Sequence, residues 1–437
     1  MRLRTSDLAV AAMGELVGPD VEIDGASIDS REVRRGQLFV PIVAERDGHD
    51  YVGAALARGA GAYLASDREI VEAHGGTAVL VADTLDALQS AGRVARSHLS
   101  PPVVGITGSV GKTSVKDLLA GILGQTLRTT ASEKSFNNEM GVPLTLLGAP
   151  DGTEAVVVEM GARDVGHIAD LCAIAAPTVG IVTRVAAVHT EVFGTIDDVA
   201  RAKSELVRDL PADGTAVLNA ADERVAAMAA VTPASVVTFG AGGDVRAEEV
   251  VLDAQLRARF RLRSPWGDAE VAMGSRGRHQ VDNALAAASA ALVCGVGLDD
   301  VAAGLAEALL SPWRMELATA PDGALVLNDA YNANPTSVAA ALESLMALPA
   351  QRRIAVLGVM AELGPTSDAD HAAIGELAER LGIRLVAVDA PAYGGEQVAS
   401  VEEALDLLEP LGPGDAVLVK GSRVAGLERL AELLLEE

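Results

Sequence analysis

Aromatic side chains are scarce in this sequence. Phe, Tyr and Trp together make up 3% of 437 residues, so Ala, Val and Leu must fill whatever cores the chain builds. That composition suits helices packed on parallel strands. Cysteine is scarcer still: Cys172 and Cys294 stand far apart, without the spacing of metal ligands, and read as reduced, buried thiols in a reducing compartment. Basic residues are outnumbered, 35 Lys and Arg against 61 Asp and Glu, for a formal net charge of −26. The imbalance excludes a nonspecific nucleic-acid binder or a protein drawn to anionic membranes, since both need an excess of Lys and Arg. It leaves anionic substrates open, because a local pocket can oppose the global sign. Long apolar runs are missing too. The longest weakly polar stretch, Ala284 to Val296, falls short of the roughly 18 residues a membrane span needs, and the N-terminal stretch lacks a signal-peptide core. A soluble, cytoplasmic protein without nucleic-acid partner or membrane insertion is expected.

What is present is apolar content, 49% of the chain, enough for several cores. The length corresponds to about three domains. Residues 1–98 hold short strand-like pieces and a helical stretch from Val52 to Arg58 ending at Gly59, the pattern of a small α/β module. Ser100-Pro101-Pro102 breaks that pattern and marks a boundary. In residues 99–312, Val103–Thr107, Ala155–Val158 and Val179–Thr183 are wholly apolar or nearly so, as in strands buried on both faces, and helical stretches from Ser114 to Leu123 and Val281 to Cys294 accompany them. A strand-rich antiparallel appendage is expected between Asn219 and Met273. Ser311-Pro312 marks a second boundary, and residues 313–437 carry four more buried strands near 324–327, 354–357, 385–388 and 416–419. The fold class is thus α/β with three domains: a small N-terminal module, a central parallel-sheet domain, which the loop at 107–113 makes a P-loop ATPase domain, and a C-terminal Rossmann-like domain.

Chemistry is clearest at Thr107-Gly108-Ser109-Val110-Gly111-Lys112-Thr113, set between a buried strand and a helix. Glycines let backbone N–H groups converge on phosphate oxygens, and the helix N-terminus adds positive potential. Lys112 is placed to bridge β- and γ-phosphates and the Thr113 hydroxyl to ligate Mg²⁺. The strict Walker spacing wants glycine where Ile106 stands, so the loop is a variant. An incidental Gly-Lys-Thr in a glycine turn is the competing reading, and the flanking strand and helix disfavour it. Glu159 closes the strand Ala155–Val158, on the rim that carries the phosphate loop, where a carboxylate faces the ligand crevice and suits Mg²⁺. By spacing alone, His189 and Lys203 are indistinguishable from structural or solvated residues.

Together these motifs resemble the Mur ligases, ATP-dependent amide-forming enzymes of peptidoglycan assembly. The resemblance rests on the phosphate loop, on Ser135-Phe136-Asn137-Asn138-Glu139-Met140-Gly141 as a substrate loop, on Glu159-Met160-Gly161, on His189-Thr190-Glu191-Val192-Phe193-Gly194-Thr195 through Lys203, and on Asn283. Within the family, Asn328-Asp329-Ala330-Tyr331-Asn332-Ala333-Asn334-Pro335, Leu357–Gly364, Lys420-Gly421-Ser422-Arg423 and the N-terminal Ser27–Arg31 and Asp47–Asp50 look like the member that adds D-alanyl-D-alanine. The Asp-Asn-Pro-Arg signature of the diaminopimelate-adding member is absent. Thr190, where Leu is usual, and Ala221, where Asp is common, depart from the family pattern.

The resemblance implies ATP and Mg²⁺ as cofactors and UDP-N-acetylmuramoyl-tripeptide and D-alanyl-D-alanine as partners, with the chain acting as a monomer. Residues 1–98 would bind the UDP-sugar, with Ser30 and Arg31 as contacts; residues 99–312 the ATP; residues 313–437 the incoming amine. Lys112, Lys203 and His189 would be catalytic. Thr113 and Glu159 would hold one Mg²⁺, and His189 with a carbamylated Lys203 a second. Residues 107–113 (Thr107, Gly108, Ser109, Val110, Gly111, Lys112 and Thr113) would cradle the phosphates, Asn283 and Arg314 the adenosine, and Asp329 the ribose or phosphate region. Asn137 and Asn138 belong to the substrate loop, and Asn332, Asn334 and Pro335 would shape the amine pocket. The reaction implied is attack of a substrate carboxylate on the γ-phosphate, then displacement by the amine, with the boundaries near 100 and 312 as hinges. Two rivals stand beside it: another amide ligase of the superfamily, such as a folylpolyglutamate synthetase-like enzyme, and a nucleotide-dependent regulator without catalysis.

Overall fold

The computed structural model describes residues 2–99, 102–133, 136–186, 193–408 and 410–436. Its centre is a six-stranded, wholly parallel sheet. In spatial order it runs Ser235–Phe239, Thr215–Asn219, Val179–Val182, Val103–Thr107, Ala155–Glu159, Thr129–Ala131. Val103–Thr107 and Ala155–Glu159 are buried at every position, as their unbroken apolar runs require of strands covered on both faces. The chain lays down Val103–Thr107 first and then builds outward on both sides of it. The order therefore reverses beside the carboxyl end of that strand, the place where open parallel sheets leave a ligand crevice.

One face of the central sheet is covered by Lys112–Leu123, Gln280–Val293 and Leu298–Glu307. The other face shares a core with the N-terminal module, where Leu88 and Ala91 of Thr84–His98 pack with Val142 and Ile174. That module has its own five-stranded sheet: Glu15–Val17 pairs antiparallel with Ala78–Leu80, and Ala62–Ala65, Leu38–Phe39 and Ala26–Ser27 follow in parallel. The C-terminal sheet has six strands, and its two faces carry separate cores.

Three sequence expectations need correction. The antiparallel appendage begins at Arg246, not Asn219, because Thr215–Asn219 and Ser235–Phe239 extend the parallel sheet; its strands are Arg246–Leu252, Arg257–Ser264 and Gly267–Arg276. The C-terminal sheet gains two edge strands, Glu316–Thr319 and Glu396–Val398, whose partly polar faces gave no apolar run to read. The phosphate-loop helix starts at Lys112, two residues early, because Gly111 with φ +86° turns the chain directly into it.

Backbone contact sets how that helix lies. A Cβ on Gly304 would run into the Ile122 backbone, with its N only 2.9 Å away. Replacing Gly304 with Ala is expected to cost about 1–3 kcal/mol by forcing the two helices apart. A control at Gly148, where an added Cβ meets nothing within 4 Å, should leave stability unchanged. Urea midpoints for both variants check the pair.

Candidate active site

The phosphate loop is pinned before any ligand arrives. Ser109 N donates to Arg184 O at 2.8 Å, Ser109 Oγ to Ala186 O at 3.0 Å, and Thr183 Oγ1 to Val110 O at 2.6 Å. Both loop glycines are required by what surrounds them. A Cβ at Gly108, φ +151°, would fall on Thr183 Oγ1, and one at Gly111 on Asn283 Oδ1. Asn283 is thereby packed against the loop, and its Nδ2 donates to Gln280 Oε1 at 2.8 Å. Ile106, which occupies the strict Walker glycine position, is a fully buried strand residue. Thr107 is equally buried, and its hydroxyl has no hydrogen-bond partner among the described residues.

Lys112 Nζ folds back on its own loop, donating to Gly108 O at 2.8 Å. Burial lowers its pKa, while Glu159 works in the opposite direction. Glu159 is 2% exposed, yet both its oxygens are occupied: Thr113 Oγ1 donates to Oε2 at 2.8 Å and Asn137 Nδ2 to Oε1 at 2.9 Å. The hydroxyl and carboxylate expected to hold Mg²⁺ are thus side by side, both hard oxygen donors that suit such an ion. Lys203, on Ile196–Arg208, lines the same cleft and is 3% exposed. Burial first, and the charge of Lys112 second, lower its pKa to about 7. His189 lies outside the described residues, as does Ser135 of the substrate loop. Among the described residues, no group of three or more His, Cys, Asp or Glu forms a metal cage.

The C-terminal domain closes the other wall of a cleft of about 760 Å³. Arg314 lies 4.2 Å over the Tyr331 ring, and its buried Nε has no partner among the described residues. Its neighbours Trp313 and Met315 have φ of +59° and +55°, left-handed conformations that side chains rarely adopt. Asp329 accepts from Met315 N at 3.2 Å and pairs with Lys420 Nζ at 2.6 Å. Lys420 also donates to Asn332 O at 2.8 Å, so one buried ammonium ties together two of the expected site residues. Asn334 lines the cleft while capping Pro335–Ala347, its side chain accepting from Ser337 N at 2.9 Å. Asn138 is similarly used: its Oδ1 accepts from Gly141 N at 3.0 Å.

Most residues singled out from sequence therefore line one cavity, drawn from two domains. Ser30 and Arg31 do not line it. Arg31 is exposed and bound to Asp29, at 2.7 Å, in the N-terminal module. His49, from the quoted Asp47–Asp50 segment, is a buried strut between Asp47 at 2.6 Å and Ser66 N at 3.2 Å. The sequence reading missed His279 as a site residue, although it lines the cleft with its Nδ1 buried and unpartnered and its pKa lowered by burial. It quoted Lys420 without assigning it a role. The one available signal for His279 was its place four residues before Asn283.

Comparison with known proteins agrees with this architecture. Residues 106–291 match the Mur ligase middle domain and residues 313–423 the Mur ligase, glutamate ligase domain. A Mycobacterium tuberculosis UDP-N-acetylmuramoyl-tripeptide–D-alanyl-D-alanine ligase is 39% identical, with 99% of this chain and 98% of the relative aligned. Among solved structures, MurF from Acinetobacter baumannii superposes with a TM-score of 0.91 at 31% identity, covering 100% of this chain and 99% of that one. MurF from Thermotoga maritima, solved in complex with ADP, gives 0.82 at 28% identity, covering 94% and 96%. The parallel sheets, the phosphate loop at the strand reversal and the full-length likeness lead to one conclusion: this chain belongs to the Mur ligase family and is most like its UDP-N-acetylmuramoyl-tripeptide–D-alanyl-D-alanine ligases.

Proposed function

We propose that this protein joins D-alanyl-D-alanine to UDP-N-acetylmuramoyl-tripeptide at the expense of ATP, in cytoplasmic peptidoglycan precursor synthesis. The observation that carries the reading is the single cleft in which Lys112, Thr113 and Glu159 of the central domain face Arg314 and Asp329 of the C-terminal domain. The Thermotoga relative, solved in complex with ADP, supports nucleotide use. The reading assigns residues 1–98 to the UDP-sugar, with Ser30 and Arg31 as contacts, residues 99–312 to ATP and residues 313–437 to the incoming amine. The reading takes the chain to act as a monomer.

In this reading a carboxylate oxygen of the tripeptide attacks the γ-phosphorus of ATP, ADP departs, and an acyl phosphate forms. The free amine of the dipeptide then adds to the acyl carbon, loses a proton, and expels phosphate as the amide forms. The first step brings two anions together, so positive charge must lie between them. Lys112 supplies it from the protein, and the glycine loop presents N–H groups without needing to reorganise. Asn283 and Arg314 hold the adenosine side, Asp329 the ribose or phosphate region, and Asn137, Asn138, Asn332 and Asn334 the two acceptor substrates. Closure of the two walls excludes water from the acyl phosphate.

Thr113 and Glu159, with His189 and Lys203, are the residues we assign to Mg²⁺. Bound there, the ion screens phosphate charge. A cationic Lys203 is a poor ligand, but an amine held near neutrality is largely unprotonated at physiological pH and adds to carbon dioxide with loss of a proton. The resulting carbamate carries the negative charge that Lys112 lacks on that side and offers oxygen donors.

Three outcomes are expected. Phosphate release should require UDP-N-acetylmuramoyl-tripeptide, ATP and D-alanyl-D-alanine together, and release indifferent to the dipeptide would refute the reading. Lys112→Met should lower kcat by about 100-fold or more, as removal of a preorganised donor does, measured in the same assay. Native protein equilibrated with ¹³C-bicarbonate should show a carbamate resonance, absent in Lys203→Ala. It should fade as pH falls below about 7, where the amine takes up a proton instead.

A further inference from the structure

One turn beyond Lys112, the phosphate-loop helix buries a charged pair that the reaction above does not use. Lys116 and Asp117 have side chains 5% and 10% exposed, with Nζ 2.9 Å from Oδ1. Consecutive helix residues point about 100° apart and do not ordinarily face each other. Here the long lysine stem curls back to make the contact. Burying two charges contributes little net stability, because desolvation offsets their attraction, so the pair is poorly explained as a stabilising device.

Its hydrogen bonds say more. Lys116 Nζ donates to Ser132 O at 2.9 Å. Ser132 sits where the chain leaves Thr129–Ala131 for the substrate loop, and its Oγ accepts from Glu159 N at 3.2 Å. On the other side, Asp117 Oδ2 accepts from Ser311 N at 2.7 Å. Ser311 lies in the linker to the C-terminal domain, three residues before Arg314, and the intervening Trp313 is held at positive φ. The pair therefore stands where three segments meet: the strand end carrying Glu159, the substrate loop, and the linker that delivers Arg314 to the cleft.

We propose that Lys116 and Asp117 are positioning residues: they register the inter-domain linker against the phosphate-loop helix, so that Arg314 and the C-terminal wall arrive correctly spaced from Lys112. The role rests on the ligase reading. Asp117 is the anchor, through Ser311. Lys116 neutralises it in the buried setting and links the same point to the carboxylate strand.

Removing one member alone would strand a buried charge, so the test replaces both. In K116M/D117N the amide oxygen still accepts from Ser311 N; in K116M/D117L nothing does. Both lose the bond to Ser132 equally. The Leu variant should lose about 10- to 100-fold in kcat and bind ADP more weakly, as Arg314 shifts, and the Asn variant should keep most of its kcat and its ADP affinity. Hydrogen exchange at the Ser311 amide should accelerate in the Leu variant only. Equal kcat in the two variants, unaltered exchange at Ser311, or a loss of kcat that merely follows the folded fraction in thermal melts would overturn the proposal. Should the unsubstituted chain bind ADP yet fail to ligate, the ligase reading falls, while the exchange comparison still decides whether Asp117 anchors the linker.

Discussion

Everything in this molecule that bears on chemistry follows from one electrostatic problem: two lysines and one carboxylate share a poorly solvated space at the reversal point of the central sheet. Glu159 answers Lys112 and is itself fixed from both sides by Thr113 and Asn137. Among the described residues no carboxylate answers Lys203, and burial, then the charge of Lys112, lowers its pKa. The charge that remains, on Lys112 and the nearby Arg314, suits an anionic ligand such as a polyphosphate. The acidic surface of the whole chain does not contradict this, since the local sign is set by a few buried groups and the global sign by solvated ones.

Orientation of those groups is a matter of backbone packing. The phosphate loop is held by Thr183, Arg184 and Ala186 from the next strand over, and its two glycines are spaces into which Thr183 and Asn283 project. The helix behind it rests on Gly304 with backbone against backbone. A nucleotide bound here would meet a loop backbone already set, while Lys112 would have to leave Gly108 O to reach it.

How much of this was legible in the residues follows from physical range. Val103–Thr107 and Ala155–Glu159 declared themselves because strands buried on both faces tolerate no polar interruption. The loop between strand and helix could be read because glycine and lysine at those positions have few other uses. Edge strands such as Glu316–Thr319 were invisible, since half of each faces solvent and only a side chain such as Leu317 reaches the core. Lys420 and His279 escaped assignment for a different reason: their meaning comes from Asp329 and the cleft, contacts made between segments far apart in sequence. Asn334 lines the cleft, yet its capping role emerged only with the helix it begins.

The shortage of aromatic residues has a practical side. There are two tryptophans in the whole chain. Trp266 sits 44% exposed near a hairpin turn, whereas Trp313 lies in the inter-domain linker with the Arg423 guanidinium stacked 4.2 Å above its ring. A stacked cation polarises an indole's excited state, so emission from Trp313 is tied to whether that stack holds. Emission from Trp313 is thus a built-in gauge of how the linker rests on the C-terminal domain, and replacing Trp266 with Phe would leave it as the sole tryptophan signal.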